Sequence, residues 1–127
     1  MKNIKLYKCK ICGNLVYSVE DSGVVPVCCG TEMSLLTANT EEDKFEKHIP
    51  VITRKDDKVT VAVGEVEHPM TDAHYIKWIM LNTCKKMYVK ELKPNDKPVA
   101  EFCICKDECI DSAYAYCNLH GLWVREG

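Results

Sequence analysis

The spacing of the cysteines is the feature that most limits what this chain can fold into. Nine of its 127 residues are cysteine, and four of them lie within the first 36 residues. Cys9 and Cys12 form a C-x-x-C knuckle, and the adjacent pair Cys28-Cys29 follows after fifteen intervening residues. In a knuckle both thiolates reach one ion, while the turn directs backbone N–H groups at the sulfurs. The segment therefore predicts a four-sulfur metal site, and this donor set suits either zinc or iron.

The same segment is too short to fold on hydrophobic burial alone. Below about 40 residues a metal, disulfides or oligomerisation is usually needed. Its apolar residues form short alternating pieces separated by turn residues, which predicts short hairpins around a bound metal. After Met33 the sequence becomes polar and charged from Thr37 onward, which is typical of a linker. We therefore predict two domains, residues 1–36 and 37–127.

The second domain has the pattern of an all-β fold. Residues 59–63, 74–81, 87–92, 99–105 and 110–116 alternate or are rich in β-forming residues, and turn residues separate them. No segment has a convincing helical period. Several short strands at roughly ten-residue spacing predict a small antiparallel β-sandwich.

Composition and charge exclude several classes of function. The net charge of −2 provides no general basic field for nucleic acid. Apolar runs such as Trp78 to Leu81 are far below the roughly 18 residues of a membrane span. The lysine-rich N-terminus has no apolar core of a signal peptide, so we expect a cytoplasmic protein. In that reducing compartment cysteines are read first as metal ligands.

All four histidines lie where a second metal site would use them. His48 and His68 each lie close before a proline, His74 is predicted to open a strand, and His120 ends the C-x-x-H motif that starts at Cys117. A single histidine is more often a packed residue, but four such positions favour a shared site. Imidazole suits iron, copper, nickel or zinc, and five protein ligands leave one octahedral position open to a small ligand.

These motifs together resemble one family over the whole chain. YKCKICGN…CCG is similar to desulforedoxin, while EKHIP, HPM-x3-HYI and YCNLHGLW are similar to neelaredoxin; both modules occur together in the desulfoferrodoxins, the two-iron superoxide reductases. The resemblance implies an immunoglobulin-like sandwich, a homodimer and two irons per chain. One iron would lie in four sulfurs, and the other would have four equatorial histidines and an axial cysteine. The ligands would be Cys9, Cys12, Cys28 and Cys29 for the first iron, and His48, His68, His74, His120 and Cys117 for the second.

The resemblance also implies an activity. The family reduces superoxide by one electron to hydrogen peroxide without releasing oxygen, and a rubredoxin-like protein is the expected donor. Lys47 would steer and hold the anion, and Glu46 resembles the glutamate that takes the sixth position when the iron is oxidised. Without the family, both are read as solvated surface residues. The Cys117 thiolate is expected to push electron density onto the iron.

Alternatives remain open at this point. The chain is otherwise a non-catalytic iron electron-transfer protein or a superoxide dismutase, and zinc is an alternative to iron in the four-cysteine site. The C-x-C-x3-C spacing of Cys103, Cys105 and Cys109 leaves room for a third metal site. Small buried or free thiols are the simpler interpretation of these residues and of Cys84.

Overall fold

The computed structural model describes residues 1–41 and 47–127, and every regular element in those ranges is a β-strand. The all-β prediction is therefore confirmed for this part of the chain. None of the described residues belongs to a helix that is long and apolar enough to cross a membrane. The chain divides into two compact units, one of Asn3–Thr37 and one of Met1–Lys2 with Ala38–Gly127.

The small unit consists of five very short strands. They are β1 (Leu6–Lys8), β2 (Leu15–Tyr17), β3 (Val27–Cys28), β4 (Thr31–Glu32) and β5 (Ser34–Leu35). β1 lies between β2 and β5 in one antiparallel sheet, and β3 and β4 form a separate hairpin. β5 ends just before Thr37, where the sequence becomes polar and charged. Its buried core is limited to Tyr7, Cys9 and Met33, so apolar burial does little to hold this unit together.

The large unit is a sandwich of two antiparallel sheets. Its strands are β6 (Pro50–Lys55), β7 (Lys58–Val63), β8 (Ile76–Thr83), β9 (Met87–Glu91), β10 (Val99–Cys103), β11 (Ile110–Cys117) and β12 (Gly121–Glu126). One sheet has the order β10-β7-β6 and the other has the order β12-β11-β8-β9. Sequence reasoning missed β6 and β12, and it started β8 two residues early, at His74.

The core lies between the two sheets and follows the period-two pattern of the strands. Val59, Val61 and Val63 of β7 point inward, and Ala113 and Ala115 of β11 belong to the same buried cluster. Both strands therefore contribute to the core between the two sheets. The cluster also contains Cys117 at the end of β11, so the core directly supports one predicted metal ligand.

A buried carboxylate fixes the connection between β10 and β11. Glu108 is 1% exposed and accepts hydrogen bonds from the hydroxyl groups of Thr83 and Tyr88 and from the N–H of Cys105. The Arg54 guanidinium donates to the carbonyl oxygen of Cys105 at 3.2 Å in the same loop. This loop is therefore tied to β6, β8 and β9 by polar contacts.

We predict that Glu108 makes stability depend on acid. The Thr83 hydroxyl, followed by the Cys105 N–H, holds the pKa of the Glu108 carboxyl below its ordinary value. Protonation then favours the unfolded chain, so this contribution is full above the ordinary glutamate pKa of about 4.3 and is lost as the pH falls through the lower folded-state pKa. Glu108→Gln should lower the free energy of unfolding at pH 7. In acid, the free energies of unfolding of the variant and of wild type should become more similar. Denaturant titration at both pH values provides the measurement.

Glu101→Gln is the matched control, because Glu101 is exposed on β10 and forms a surface ion pair with Lys58. Its free energy of unfolding should remain close to wild type at both pH values. Equal losses for the two variants, or a Glu108→Gln loss that is independent of pH, would contradict this role of Glu108.

Candidate metal centres

The four cysteines of the small unit converge on one point. Their sulfurs all lie within 4.8 Å of one another. The Sγ atoms of Cys12 and Cys28 are 3.6 Å apart, and those of Cys28 and Cys29 are 3.9 Å apart. A tetrahedron with metal–sulfur bonds of about 2.3 Å has sulfur–sulfur edges of about 3.8 Å. The residues therefore fit one tetrahedral metal ion.

Two turns bring these sulfurs together. The first turn closes the knuckle through a hydrogen bond of 3.0 Å from the N–H of Gly13 to the carbonyl oxygen of Cys9. The second turn consists of Cys29 and Gly30, both with positive φ (54° and 74°), between the paired residues Cys28 and Thr31. A two-residue turn with two left-handed residues has the form of a type I′ hairpin. It turns the Cys29 side chain to the same side as that of Cys28, which an extended strand would not do.

Backbone donors prepare the first sulfur for a cation. The N–H groups of Cys12 and Ile11 point at the Cys9 sulfur and lower the pKa of its thiol to about 6. Hydrogen bonds with the side chains of Cys12, Cys28 and Cys9 raise the pKa of the Cys29 thiol to about 12. Four neighbouring thiols cannot all ionise without a compensating positive charge, and a metal ion provides that charge.

The second centre lies at one end of the sandwich. Its residues come from the segment just before β6, the connection between β7 and β8, and the β11–β12 hairpin. In the antiparallel sheets these segments share one end, because Pro50 pairs with Val63 and Cys117 pairs with both Ile76 and Gly121. The fold thus gathers residues that are up to 72 positions apart.

The four imidazoles form a square. Successive ring centroids around His48, His68, His74 and His120 are 4.6, 4.6, 5.0 and 4.9 Å apart, and the His48–His74 diagonal is 6.3 Å. Neighbouring rings stand 69° to 82° from one another, like the blades of a pinwheel. Ligand atoms of His48, His74, His120 and Cys117 lie within 4.8 Å of one another, and His68 is not part of that group. The ring of His68 occupies the fourth corner of the square through its contacts with the rings of His48 and His74.

Cys117 lies beside this square, on the side of the protein interior. Its side chain is 0% exposed, and its Sγ is 3.9 Å from Nδ1 of His120. The same Nδ1 is 3.1 Å from Nε2 of His48. His120 itself is exposed, so the centre combines a buried cysteine with an imidazole that solvent reaches.

Two buried nitrogens test whether these residues fit a metal. Nδ1 of His68 is 2.7 Å from the carbonyl oxygen of Pro69, so the proton is on Nδ1 and Nε2 keeps its lone pair. Within the described residues, Nε2 of His68 and Nε2 of His74 are buried and have no hydrogen-bond partner. A metal ion would engage both lone pairs, and the Pro69 carbonyl is the usual orienting partner of a metal-bound histidine.

Burial keeps these histidines in the form that binds metal. It lowers the pKa of His68 to about 4 and also lowers the pKa of His74. The ammonium of Lys47 makes a smaller contribution to the His74 shift, after the imidazoles of His120 and His48. Its positive charge therefore acts on this centre. Glu46, predicted beside it, lies outside the described residues.

Sequence reasoning missed Asn118 as a residue that orients the site. Its Oδ1 accepts a hydrogen bond from the N–H of Tyr75, and its Nδ2 donates to the carbonyl oxygen of Ala73, both at 3.0 Å. Its own N–H donates to the carbonyl oxygen of Tyr75 at 3.2 Å. The residue next to Cys117 thus holds both neighbours of His74. Its position inside the C-x-x-H motif was the only available signal.

Trp123 forms a wall of the centre. Its indole stacks on the His48 ring with centroids 4.7 Å apart and an interplanar angle of 18°. Its Nε1–H donates to the carbonyl oxygen of His120 at 3.1 Å. One side chain thereby restrains two corners of the square.

The prediction of two metal centres is confirmed, while the role of each ligand stays a prediction. Within residues 1–41 and 47–127, groups of three or more metal-ligating side chains occur only at these two places. Among these described residues, the C-x-C-x3-C cysteines Cys103, Cys105 and Cys109 do not form a third centre. Phe102 and Ile104 point into the core, and Cys103 and Cys105 are exposed.

Comparison with known proteins gives matches over both units. The family described as "Desulfoferrodoxin" matches residues 40–126, and the family described as "Desulfoferrodoxin, N-terminal domain" matches residues 2–36. A desulfoferrodoxin homolog of Archaeoglobus fulgidus is 47% identical over 120 residues, which are 94% of each chain.

Solved structures agree with these matches. The superoxide reductase of Treponema pallidum matches with a TM-score of 0.85 and is 31% identical in sequence. The match covers 98% of this chain and 98% of that one. The one-iron superoxide reductase of Giardia intestinalis has a TM-score of 0.57 and is 34% identical, and the match covers 65% of this chain and 98% of that one.

We predict that Asn118→Ala loosens the five-ligand centre. It removes two hydrogen bonds worth about 1 kcal/mol each, so the free energy of unfolding should fall by about 2 kcal/mol. Orienting contacts of this kind change metal affinity by roughly tenfold or more. The measurement is iron retention at this centre in competition with a chelator.

Leu119→Ala is the matched control, because Leu119 is exposed in the same hairpin loop. It should retain iron like wild type. Asn118→Asp, which keeps the oxygen that accepts from Tyr75 but replaces the donor to Ala73, should fall between the two. Equal iron retention in Asn118→Ala and Leu119→Ala would exclude the orienting role.

Proposed function

Since this chain belongs to the desulfoferrodoxin family, as its motifs predicted, we propose that it is a superoxide reductase that converts superoxide to hydrogen peroxide with one external electron. The observation that carries the proposal is the square of four imidazoles beside a buried cysteine sulfur. This donor set suits a redox-active iron with one accessible position. A purely structural metal site is closed and needs no accessible side.

The proposed ligands of the catalytic iron are His48, His68, His74, His120 and Cys117. Iron held there would supply the electron that superoxide takes up. Burial of Cys117 excludes water from its sulfur and lets the thiolate direct its electron density at the site. The two protons of hydrogen peroxide come from solvent, which reaches the centre on its exposed side.

Lys47 is proposed to receive the substrate. Superoxide is a small anion, and the net charge of −2 does not attract it to the chain as a whole. The Lys47 ammonium is a local positive charge whose field reaches His74. We assign it the steering of the anion and the ordering of water for proton delivery. Glu46, adjacent in sequence, is proposed as the carboxylate that takes the open position in the oxidised protein.

The small unit is proposed to be an accessory redox centre. We assign residues 1–36 as a desulforedoxin-like domain with iron on Cys9, Cys12, Cys28 and Cys29, and residues 37–127 as the reductase domain. A rubredoxin-like protein would deliver the electrons, because each turnover consumes one. We further propose a homodimer located in the cytoplasm, where reducing conditions keep the ligand thiols available.

The activity is tested by its electron balance. Iron-loaded protein is mixed with superoxide and a reduced one-electron donor, and we expect one donor oxidised per superoxide, hydrogen peroxide as product and no oxygen released. Cys117→Ser should lose the thiolate-to-iron absorption band and slow the reaction by roughly tenfold or more. Stopped-flow absorption and an oxygen electrode provide the measurements.

Cys12→Ser is the control variant for this test. It should lose the iron of the small unit while the reaction with superoxide stays close to wild type. Oxygen release without donor oxidation would identify a dismutase instead. An iron that neither reacts with superoxide nor responds to small anions would identify an electron-transfer protein.

We predict that Lys47→Ala slows the second-order reaction with superoxide by roughly tenfold, because electrostatic steering contributes 10- to 1000-fold to association rates. The dependence of the rate constant on ionic strength should weaken as well. Pulse-radiolysis kinetics at several salt concentrations provide the measurement.

Two further variants separate charge from size. Lys47→Arg keeps the positive charge and should retain most of the rate. Lys90→Ala removes an exposed lysine from β9 and should leave the rate and its salt dependence unchanged. A Lys47→Ala rate constant and salt dependence equal to wild type would refute the role of Lys47.

A further inference from the structure

Two cysteines that neither centre uses face each other across adjacent strands. Cys84 follows the last residue of β8, and Cys109 precedes the first residue of β11. The N–H of Cys84 donates to the carbonyl oxygen of Cys109 at 2.9 Å, and the N–H of Cys109 donates to Sγ of Cys84 at 3.3 Å. Both thiols are free and exposed to solvent.

Their placement suits a disulfide. Thr83 and Ile110 are antiparallel partners, so Cys84 and Cys109 form the next opposed pair along the same two strands. Opposed residues in antiparallel strands have Cα atoms about 4.5–5.5 Å apart, and disulfides span Cα separations of about 4.4–6.8 Å. The backbone therefore needs little or no rearrangement to accept the bond.

The two sulfurs are chemically different. The Cys109 thiol lowers the pKa of the Cys84 thiol, with further lowering from the Cys109 N–H and the Lys85 ammonium. The Cys84 sulfur in turn raises the pKa of the Cys109 thiol. Cys84 is thus the stronger candidate for the thiolate, which is the nucleophilic form of cysteine, and Cys109 keeps its proton.

We propose that Cys84 and Cys109 form a peroxide-oxidisable dithiol in which Cys84 reacts first and Cys109 closes a disulfide. The Cys84 thiolate attacks one oxygen of hydrogen peroxide and the O–O bond breaks. The hydroxide that leaves is protonated to water. The Cys109 sulfur then attacks the Cys84 sulfenic acid, the S–O bond breaks and a second water leaves. Two thiols supply two electrons to one peroxide.

A metal does not account for this pair. Within the described residues, no third metal-ligating side chain joins Cys84 and Cys109 in a group of three. The pair is also remote from the histidine square, which lies at the opposite end of β8. The eight residues of β8 span roughly 25 Å at about 3.3 Å per residue, so the thiols do not exchange with the iron ligands.

Peroxide added to the reduced, iron-loaded protein tests the proposal without depending on the reductase activity. After one equivalent of hydrogen peroxide, free thiols are blocked with iodoacetamide and the protein is digested. Mass spectrometry should find the Cys84 peptide linked to the Cys109 peptide within one chain. Cys84→Ser should slow the loss of the Cys109 thiol by roughly tenfold or more.

Cys109→Ser separates the two steps. It should leave Cys84 as a sulfenic acid that dimedone traps, and the trapped form should be absent from Cys84→Ser. Cys103→Ser is the matched control, because it removes an exposed thiol from β10 and should leave the linkage unchanged. Oxidation of Cys103 and Cys105 as fast as Cys84, or linkage between chains only, would overturn the proposal.

Discussion

A buried imidazole nitrogen without a hydrogen bond is the constraint on which the large unit depends. Nε2 of His68 and Nε2 of His74 are both in this state within the described residues. An unsatisfied buried polar atom costs about 1–3 kcal/mol. A metal cation at this place would satisfy both nitrogens together. The end of the sandwich that carries the histidines would then be stabilised by the metal, while the core between the sheets is stabilised by apolar packing.

In the small unit a metal would have a different role. The unit has three buried core residues, one of which is the predicted ligand Cys9, and Cys29 adopts a left-handed conformation that costs a non-glycine residue about 1 kcal/mol. Ligand bonds would offset both deficits, since binding energy at a structural site is folding energy. In one chain, a metal would thus organise a nearly coreless unit and complete one end of a well-packed unit.

The presence of two metal centres could be predicted from the sequence, because the chemistry of a metal site restricts residue type and spacing. The alternating valines of β7 were readable for a similar reason, since one buried face imposes period two. The start of β8 was not readable, because hydrogen bonds from Asn118 hold Ala73 and Tyr75 in a turn, and these bonds come from 43 or more residues away. β12 directly follows the loop that contains His120 and ends in charged residues. Its alternation of apolar and polar residues is therefore too short to predict a strand.

The pairing of Cys84 with Cys109 was hidden for the same reason as the role of Asn118. The local pattern C-x-C-x3-C suggests that Cys109 belongs with Cys103 and Cys105, but strand pairing places it opposite a residue 25 positions earlier. The register between β8 and β11 determines which residues meet at each end of this strand pair. At one end it brings Cys117 beside the histidines, and at the other end it brings two thiols together. The reaction proposed for the first end releases hydrogen peroxide. The exposed thiol pair lies at the second end, so it meets that product only after the peroxide has entered solvent.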